Sequence, residues 1–283
     1  MYNVKAIHYP NGETQLRRYS QPLNLRESNP YEVEQTEREF INFEYNPFDN
    51  KLTRKVYNFE DVEKLEKENA ERSFKRTVQQ IHTLSRCSLW EYFVTFTFNS
   101  QQVDRYNFDE TSRLVRQYLR NQRRNAPALR YLVVPEQHKD GAFHFHALIS
   151  NTGNIEFADS GKKTRDKKII YNLAKWKYGF TTAIEVYNTH GASKYLAKYI
   201  SKELCDLTKG KHRYFVSNNL DKPIADLFLM PDQEFELFLE PYANSLGKEI
   251  KHVSKPRNNC GFVDVDYYEL QERKTLDDSK TSI

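Results

Sequence analysis

Cysteine is scarce in this 283-residue chain: Cys87, Cys205 and Cys260 are the only three, and their spacing is neither paired nor that of metal ligands. A disulfide framework and a zinc ribbon are thereby excluded, and a reducing cytoplasm is the expected compartment. Glycine (9) and proline (10) are also few, with no tract rich in either, so no linker announces itself and domain boundaries must be read from changes of periodicity. No internal repeat points to a solenoid. Mean hydropathy is -0.84, and no apolar run approaches the roughly 20 residues that cross a bilayer, so a helical membrane protein and a membrane partner are not expected. The opening MYNVKAIHYPNGETQLRRYS lacks the apolar core of a signal peptide, and secretion is not expected either.

Charge is plentiful and unevenly placed. The net charge of +4 conceals 14 basic and 14 acidic residues over 1–90, 20 and 12 over 91–212, and 9 and 13 over 213–283. A basic middle between a neutral and an acidic segment is what a chain needs to meet a polyanion, although solvated basic faces are common.

Residues 60–85 place Val62, Leu65, Phe74, Val78, Ile81 and Leu84 near helical spacing, which predicts a long amphipathic helix. From Tyr92 the period falls to two, with Phe93, Thr95 and Thr97 alternating with Val94, Phe96 and Phe98, as in a strand. Helical spacing returns over 109–125, where Leu114, Val115, Tyr118 and Leu119 form the apolar stripe and five arginines cover much of the rest. Strands are predicted at 129–138 and 142–150, joined by a turn at Lys139-Asp140-Gly141. A helix over 166–178 ending at Gly179, a strand over 180–187, and a helix over 191–204 capped by Asn188 or Thr189 complete the reading. The expected fold is α+β, a ferredoxin-like or RRM-like antiparallel sheet in the order β-α-β-β-α-β plus one more helix. It occupies residues 90–225, between an N-terminal extension (1–89) with the long helix and a C-terminal extension (226–283) ending in a polar tail. The stretch DLFLMPDQEFELFLEPY either docks a host replication protein or completes the core. Such a sheet hosts many functions, so function has to be argued from side chains.

The sharpest feature is Phe143-His144-Phe145-His146. On a strand the two imidazoles share a face about 7 Å apart, while the aromatics point the other way. A three-residue turn with Gly141 left-handed would pair His138 with Ala142 and Glu136 with His144, setting a carboxylate beside the imidazoles from the neighbouring strand. Two imidazoles and a carboxylate suit a divalent ion that polarises a phosphodiester oxygen. His138 shares a face with Glu136 and is the rival third ligand; two structural histidines on a half-buried strand are the plainer alternative.

Tyr195 and Tyr199 lie four apart on the last predicted helix and so share a face, each followed three residues later by a lysine, Lys198 and Lys202. A phenol with pKa near 10 is a poor nucleophile at neutral pH, and a nearby ammonium both favours the phenolate and attracts phosphate. Core packing would explain two tyrosines equally well, but Ala192, Leu196 and Ile200 already form a separate apolar stripe. Thr95, Thr97 and Asn99 at the end of the first strand can contact a DNA backbone or be ordinary strand residues. Arg116 and Arg120, on the arginine-studded helix, can bind phosphates or merely be solvated.

In order, FVTFTFN, EQHKDGAFHFHALI and YLAKYISK resemble the three motifs of the HUH endonuclease superfamily, in particular the replication initiators of small phages and plasmids. The last is similar to the two-tyrosine helix of gene A type initiators, and KHRYFVSNNLDKP resembles the segment that follows it in phage-type members. The resemblance spans about residues 90–225. It implies that His144, His146 and Glu136 hold Mg²⁺ or Mn²⁺, that Tyr195 or Tyr199 attacks the phosphate, and that Lys198 and Lys202 orient the phosphate or the tyrosines. The implied partners are single-stranded origin DNA, held covalently, and a host helicase and DNA polymerase. A relaxase or transposase of the same superfamily is a rival reading. Another is a non-catalytic RNA- or DNA-binding module using Phe96, Phe98, Phe143 and Phe145 as stacking platforms.

Overall fold

The computed structural model describes residues 1–24, 43–46, 51–54, 59–200, 204, 208, 211–255 and 263–273. The chain begins with strands β1 (Tyr2–His8) and β2 (Thr14–Leu23), a separate hairpin of β3 (Phe43–Asn46) and β4 (Lys51–Arg54), and helix α1 (Phe59–Ser85). The middle comprises β5 (Tyr92–Phe98), α2 (Phe108–Asn125), β6 (Arg130–Gln137), β7 (Phe143–Ser150), β8 (Phe157–Lys163), β9 (Ile169–Leu173), β10 (Gly179–Glu185), α3 (Thr189–Ala197) and β11 (Phe215–Val216). Strand β12 (Ile224–Phe228), helix α4 (Asp232–Ser245), β13 (Lys248–Ser254) and β14 (Val265–Glu272) close it. The class is α+β with antiparallel sheets: seven strands in the order β11-β6-β7-β5-β10-β9-β8, and five in the order β12-β1-β2-β14-β13. No described helix is long and apolar enough to cross a membrane.

Alternation along β5 and β7 decides the layering of the larger sheet. Phe96, Phe98, Phe143 and Phe145 point to one side, where α2 covers them with Leu114, Val115, Tyr118 and Leu119. The Asn107 side chain starts that helix by accepting the Asp109 and Glu110 amides, and acids in the first turn and arginines in the last suit its dipole. Phe96 and Phe145 are 0% exposed, so these aromatics are core and cannot be stacking platforms for bases. Thr95, Thr97, His144 and His146 point to the opposite side. There α3 crosses the sheet, its Ser193 hydroxyl donating to the Ser85 carbonyl at the end of α1 at 3.0 Å.

Three expectations are corrected. Residues 166–178 are not helical: Lys167 turns the chain at a φ of 62°, and β-branched and aromatic Ile169-Ile170-Tyr171 run on as a strand. The Leu173–Trp176 spacing that mimics a helix instead ends this strand and lays Trp176 against Phe96, Phe98 and Tyr118. Gly179 is therefore no helix stop; it lies in β10 with a φ of 151°, where a β carbon would come within 2.8 Å of the Asn99 amide nitrogen. The last helix ends at Ala197, not 204, with Lys198 as its C-terminal cap.

The smaller sheet is made by the two ends of the chain. Its Val4, Ala6, Leu16, Tyr268 and Leu270 pack with Phe235, Leu239 and Ala243 of α4, so DLFLMPDQEFELFLEPY completes a second core.

Candidate active site on the polar face of the central sheet

The β6–β7 turn sets the register of the site. His138 donates its amide to Ala142 at 2.9 Å and Gly141 donates to His138 at 2.8 Å, with Gly141 at a φ of 89°, a left-handed conformation that favours glycine. Glu136 thus pairs with His144 and Val134 with His146, while on the other side Thr95 pairs with His146. Directly opposed residues project to one face, which brings a carboxylate, two imidazoles and two threonines together.

His146 is buried, with Nε2 2.7 Å from Glu136 Oε2 and Nδ1 3.1 Å from the Thr95 hydroxyl. The same carboxylate oxygen lies 3.3 Å from His138 Nε2, and the His138 ring stacks on His144 at 3.8 Å. His144 Nδ1 meets the Thr97 hydroxyl at 3.4 Å. Glu136 and His138 both reach the cluster, so the two rival ligands are neighbours. Among the described residues no three such side chains are gathered round one point as a preset cage.

Burial and the neighbouring His138 push the His144 imidazole down to about 4, so it is neutral at physiological pH with a lone pair to give. Burial pushes the Glu136 carboxyl up, but the hydrogen bond to His146 and the charges of the three imidazoles outweigh it and hold the group below the usual range. An ionised carboxylate beside neutral imidazoles is the protonation state that a cation requires of its ligands.

The tyrosines arrive from α3, whose first turn is capped by the Asn188 side chain accepting the Gly191 amide at 3.0 Å. Tyr195 is on the helix and 48% exposed; Tyr199 lies just past its end. The Tyr199 ring stacks on His146 with centroids 3.5 Å apart and planes at 18°, and the two tyrosines meet edge to face at 5.2 Å. Burial, the hydrogen bond with Tyr195 and the charge of Glu136 push the Tyr199 phenol up, not down. Lys198 is not among the groups acting on that phenol; Lys202 lies outside the described residues.

Of the residues expected to touch DNA, Thr95 and Thr97 instead hold imidazoles. Asn99 organises the turn after β5, accepting the Gln101 amide at 3.0 Å. Arg116 and Arg120 lie on α2, across the sheet from the tyrosines. Two residues of the site escape the sequence reading. Phe93 contacts His146, Tyr195 and Tyr199 at 5.7, 5.2 and 6.2 Å. Phe180 is paired with Thr97, on the same face, and 59% exposed. The signal for both is the phase of strand alternation shared with the threonines.

Residues 91–204 match a family model described as replication-associated protein, of the ORF2 kind, a match that covers less than half of the chain. No curated protein and no solved structure matches it. The segment that carries every side chain of this cluster is thus similar to replication-associated proteins, and the similarity supports a part in initiating replication.

Proposed function

We propose that the chain is an initiator of the HUH endonuclease type, which cuts single-stranded origin DNA with a tyrosine and stays joined to the new 5′ phosphate. The free 3′ hydroxyl then primes rolling-circle synthesis by a host polymerase behind a helicase, in the cytoplasm, and a later transesterification rejoins the strand. One observation carries the reading: the Tyr199 ring lies face to face on His146, whose Nε2 is hydrogen-bonded to Glu136. Segments far apart in the sequence thereby bring a nucleophile to a cation-ligand set. The strand order β6-β7-β5-β10 supports a ferredoxin-like core in which the β8–β9 hairpin stands where a second crossover helix was expected.

In the cutting step the tyrosine Oη forms a bond to phosphorus as the bond from phosphorus to the 3′ oxygen breaks; the phenol gives up a proton and the 3′ oxygen gains one. Tyr195 and Tyr199 are hydrogen-bonded to each other, so either phenol can pass its proton toward the other. Glu136, His144 and His146, with His138 beside them, would hold Mg²⁺ or Mn²⁺. With the ring proton on Nδ1, each histidine donates to its threonine and turns Nε2 to the ligand position. When bound, the ion supplies a Lewis acid for a nonbridging phosphate oxygen and a positive charge that favours the phenolate. Phe93 fixes the rings of both tyrosines and His146 from below.

The test is incubation of the purified chain with end-labelled single-stranded DNA from its own replicon, in Mn²⁺ or in EDTA, resolved on a denaturing gel. A band retarded by attached protein, present with Mn²⁺ and absent with EDTA, is expected. Uncut DNA under both conditions would overturn the reading.

A further inference from the structure

The arginines of α2 do not extend the tyrosine face. Arg113, Arg116, Arg120 and Arg123 recur at offsets of three and four and so form one stripe, about 15 Å long. This stripe lines a groove at the edge of the larger sheet, where β11 is the last strand, and the opposite wall carries Lys211 and Arg213. No carboxylate lines the groove among the described residues. The stripe's hydrogen bonds go to neutral partners: Arg113 reaches Gln117, Arg116 the Ser112 carbonyl, and Arg123 the Asn218 side chain at 2.6 Å. Arg116 also lies over the Phe215 ring at 5.2 Å, which fixes its guanidinium at the groove. Lys211 is paired with Asp109 and Arg213 is held by Ser73 and Thr77 of α1, so the opposite wall is braced.

Like charges three and four apart on a helix repel one another and weaken it, and no acidic side chain of the groove offsets them. A row of guanidiniums with donors to spare matches the phosphodiester backbone, and about 15 Å spans roughly four nucleotides of one strand at about 3.4 Å each along the axis. We propose that this groove is a second nucleic-acid site, gripping the backbone of DNA outside the segment being cut, without reading bases. The inference rests on the reading of the chain as a DNA-cutting initiator. It splits the expected DNA contacts into two surfaces on opposite sides of one sheet: Phe180 and the tyrosines on one, Arg116 and Arg120 on the other.

The experiment is fluorescence anisotropy of labelled oligo-dT, about 30 nucleotides long, with the full chain in EDTA, where no cutting occurs, titrated from about 50 to about 300 mM salt. Removing two phosphate contacts in Arg113→Gln/Arg120→Gln is expected to reduce the slope of log K against log salt by about 1.4, since each single-strand contact contributes about 0.7. Arg113→Lys/Arg120→Lys, which keeps both charges, is expected to restore it. A glutamine variant with unchanged slope and affinity would overturn the site, as would a lysine variant that loses as much. Cutting is scored separately in Mn²⁺: a chain that shows the slope change but never cuts keeps the groove and loses the initiator reading, and a chain that cuts without the slope change does the reverse.

Discussion

On the five-stranded sheet, the face turned away from α4 carries Gln15, Arg17 and Glu269, whereas on the seven-stranded sheet the face turned away from α2 carries Thr95, Thr97, His144 and His146. Both sheets thus have one apolar and one polar side. The first polar side is closed on itself: Arg17 Nε donates to Gln15 at 2.7 Å, Gln15 donates to Glu269 at 2.5 Å, and Arg86 bridges Glu269 at 2.7 Å and Glu13 at 2.6 Å while lying over Tyr9. Its charges are matched, and the network ties α1 to the chain ends. The second polar side keeps capacity unspent, in an ionised Glu136 and a neutral His144 stacked on its neighbour. A polar face whose charges are already met holds a fold together; one with lone pairs to give can bind and react.

The comparison breaks first at the tyrosines. Tyr195→Phe/Tyr199→Phe should lose cutting on the order of 10⁴-fold or more while its thermal unfolding stays near wild type, because only the nucleophile is removed; gel assay and calorimetry read the two together. Arg86→Ala should do the opposite. With Arg86 only 1% exposed, its loss leaves Glu13 and Glu269 without their counter-charge, at about 3–5 kcal/mol in urea unfolding. A loss below about 1 kcal/mol would mean that the closed network is decorative. Thr95→Val removes the group that orients His146 and should weaken Mn²⁺ binding about 10–100-fold by calorimetric titration, with little change in melting. The smallest effect is in pH. Because the folded His144 is held at about 4 against an ordinary value of 6.5, the unfolded chain takes up its proton first. His144 therefore contributes stability that is present above pH 6.5 and lost as pH falls toward 4, and His144→Gln should flatten the melting temperature over that window.

How much of this is legible in the sequence varies with the range of the interactions. The β6–β7 hairpin is readable because Asp140-Gly141 marks the turn and His-x-His marks the face, so the pairing of Glu136 with His144 follows from counting. Helix α2 is readable because its stripe and cap are local. The β8–β9 hairpin misleads because Ile169, Ile170, Leu173 and Trp176 satisfy a helical period while their residue types favour a strand, and only the sheet edge decides between the two. The smaller sheet cannot be read at all. Val4 pairs with Phe228 and Leu16 with Tyr268, contacts between chain ends that leave no periodic trace in either segment alone. At the site, residue types point to the cluster, but the stacking of Tyr199 on His146 depends on where α3 stops, and the upward shift of its phenol depends on burial that spacing does not encode.

The central claim, that a phenol over the His–Glu cluster attacks phosphorus, is tested most directly by mass spectrometry of tryptic peptides after reaction with single-stranded DNA in Mn²⁺ and nuclease trimming. A nucleotide joined to Tyr195 or Tyr199 is the expected result. Cleaved DNA with both tyrosines unmodified, or with the adduct on another residue, would contradict it.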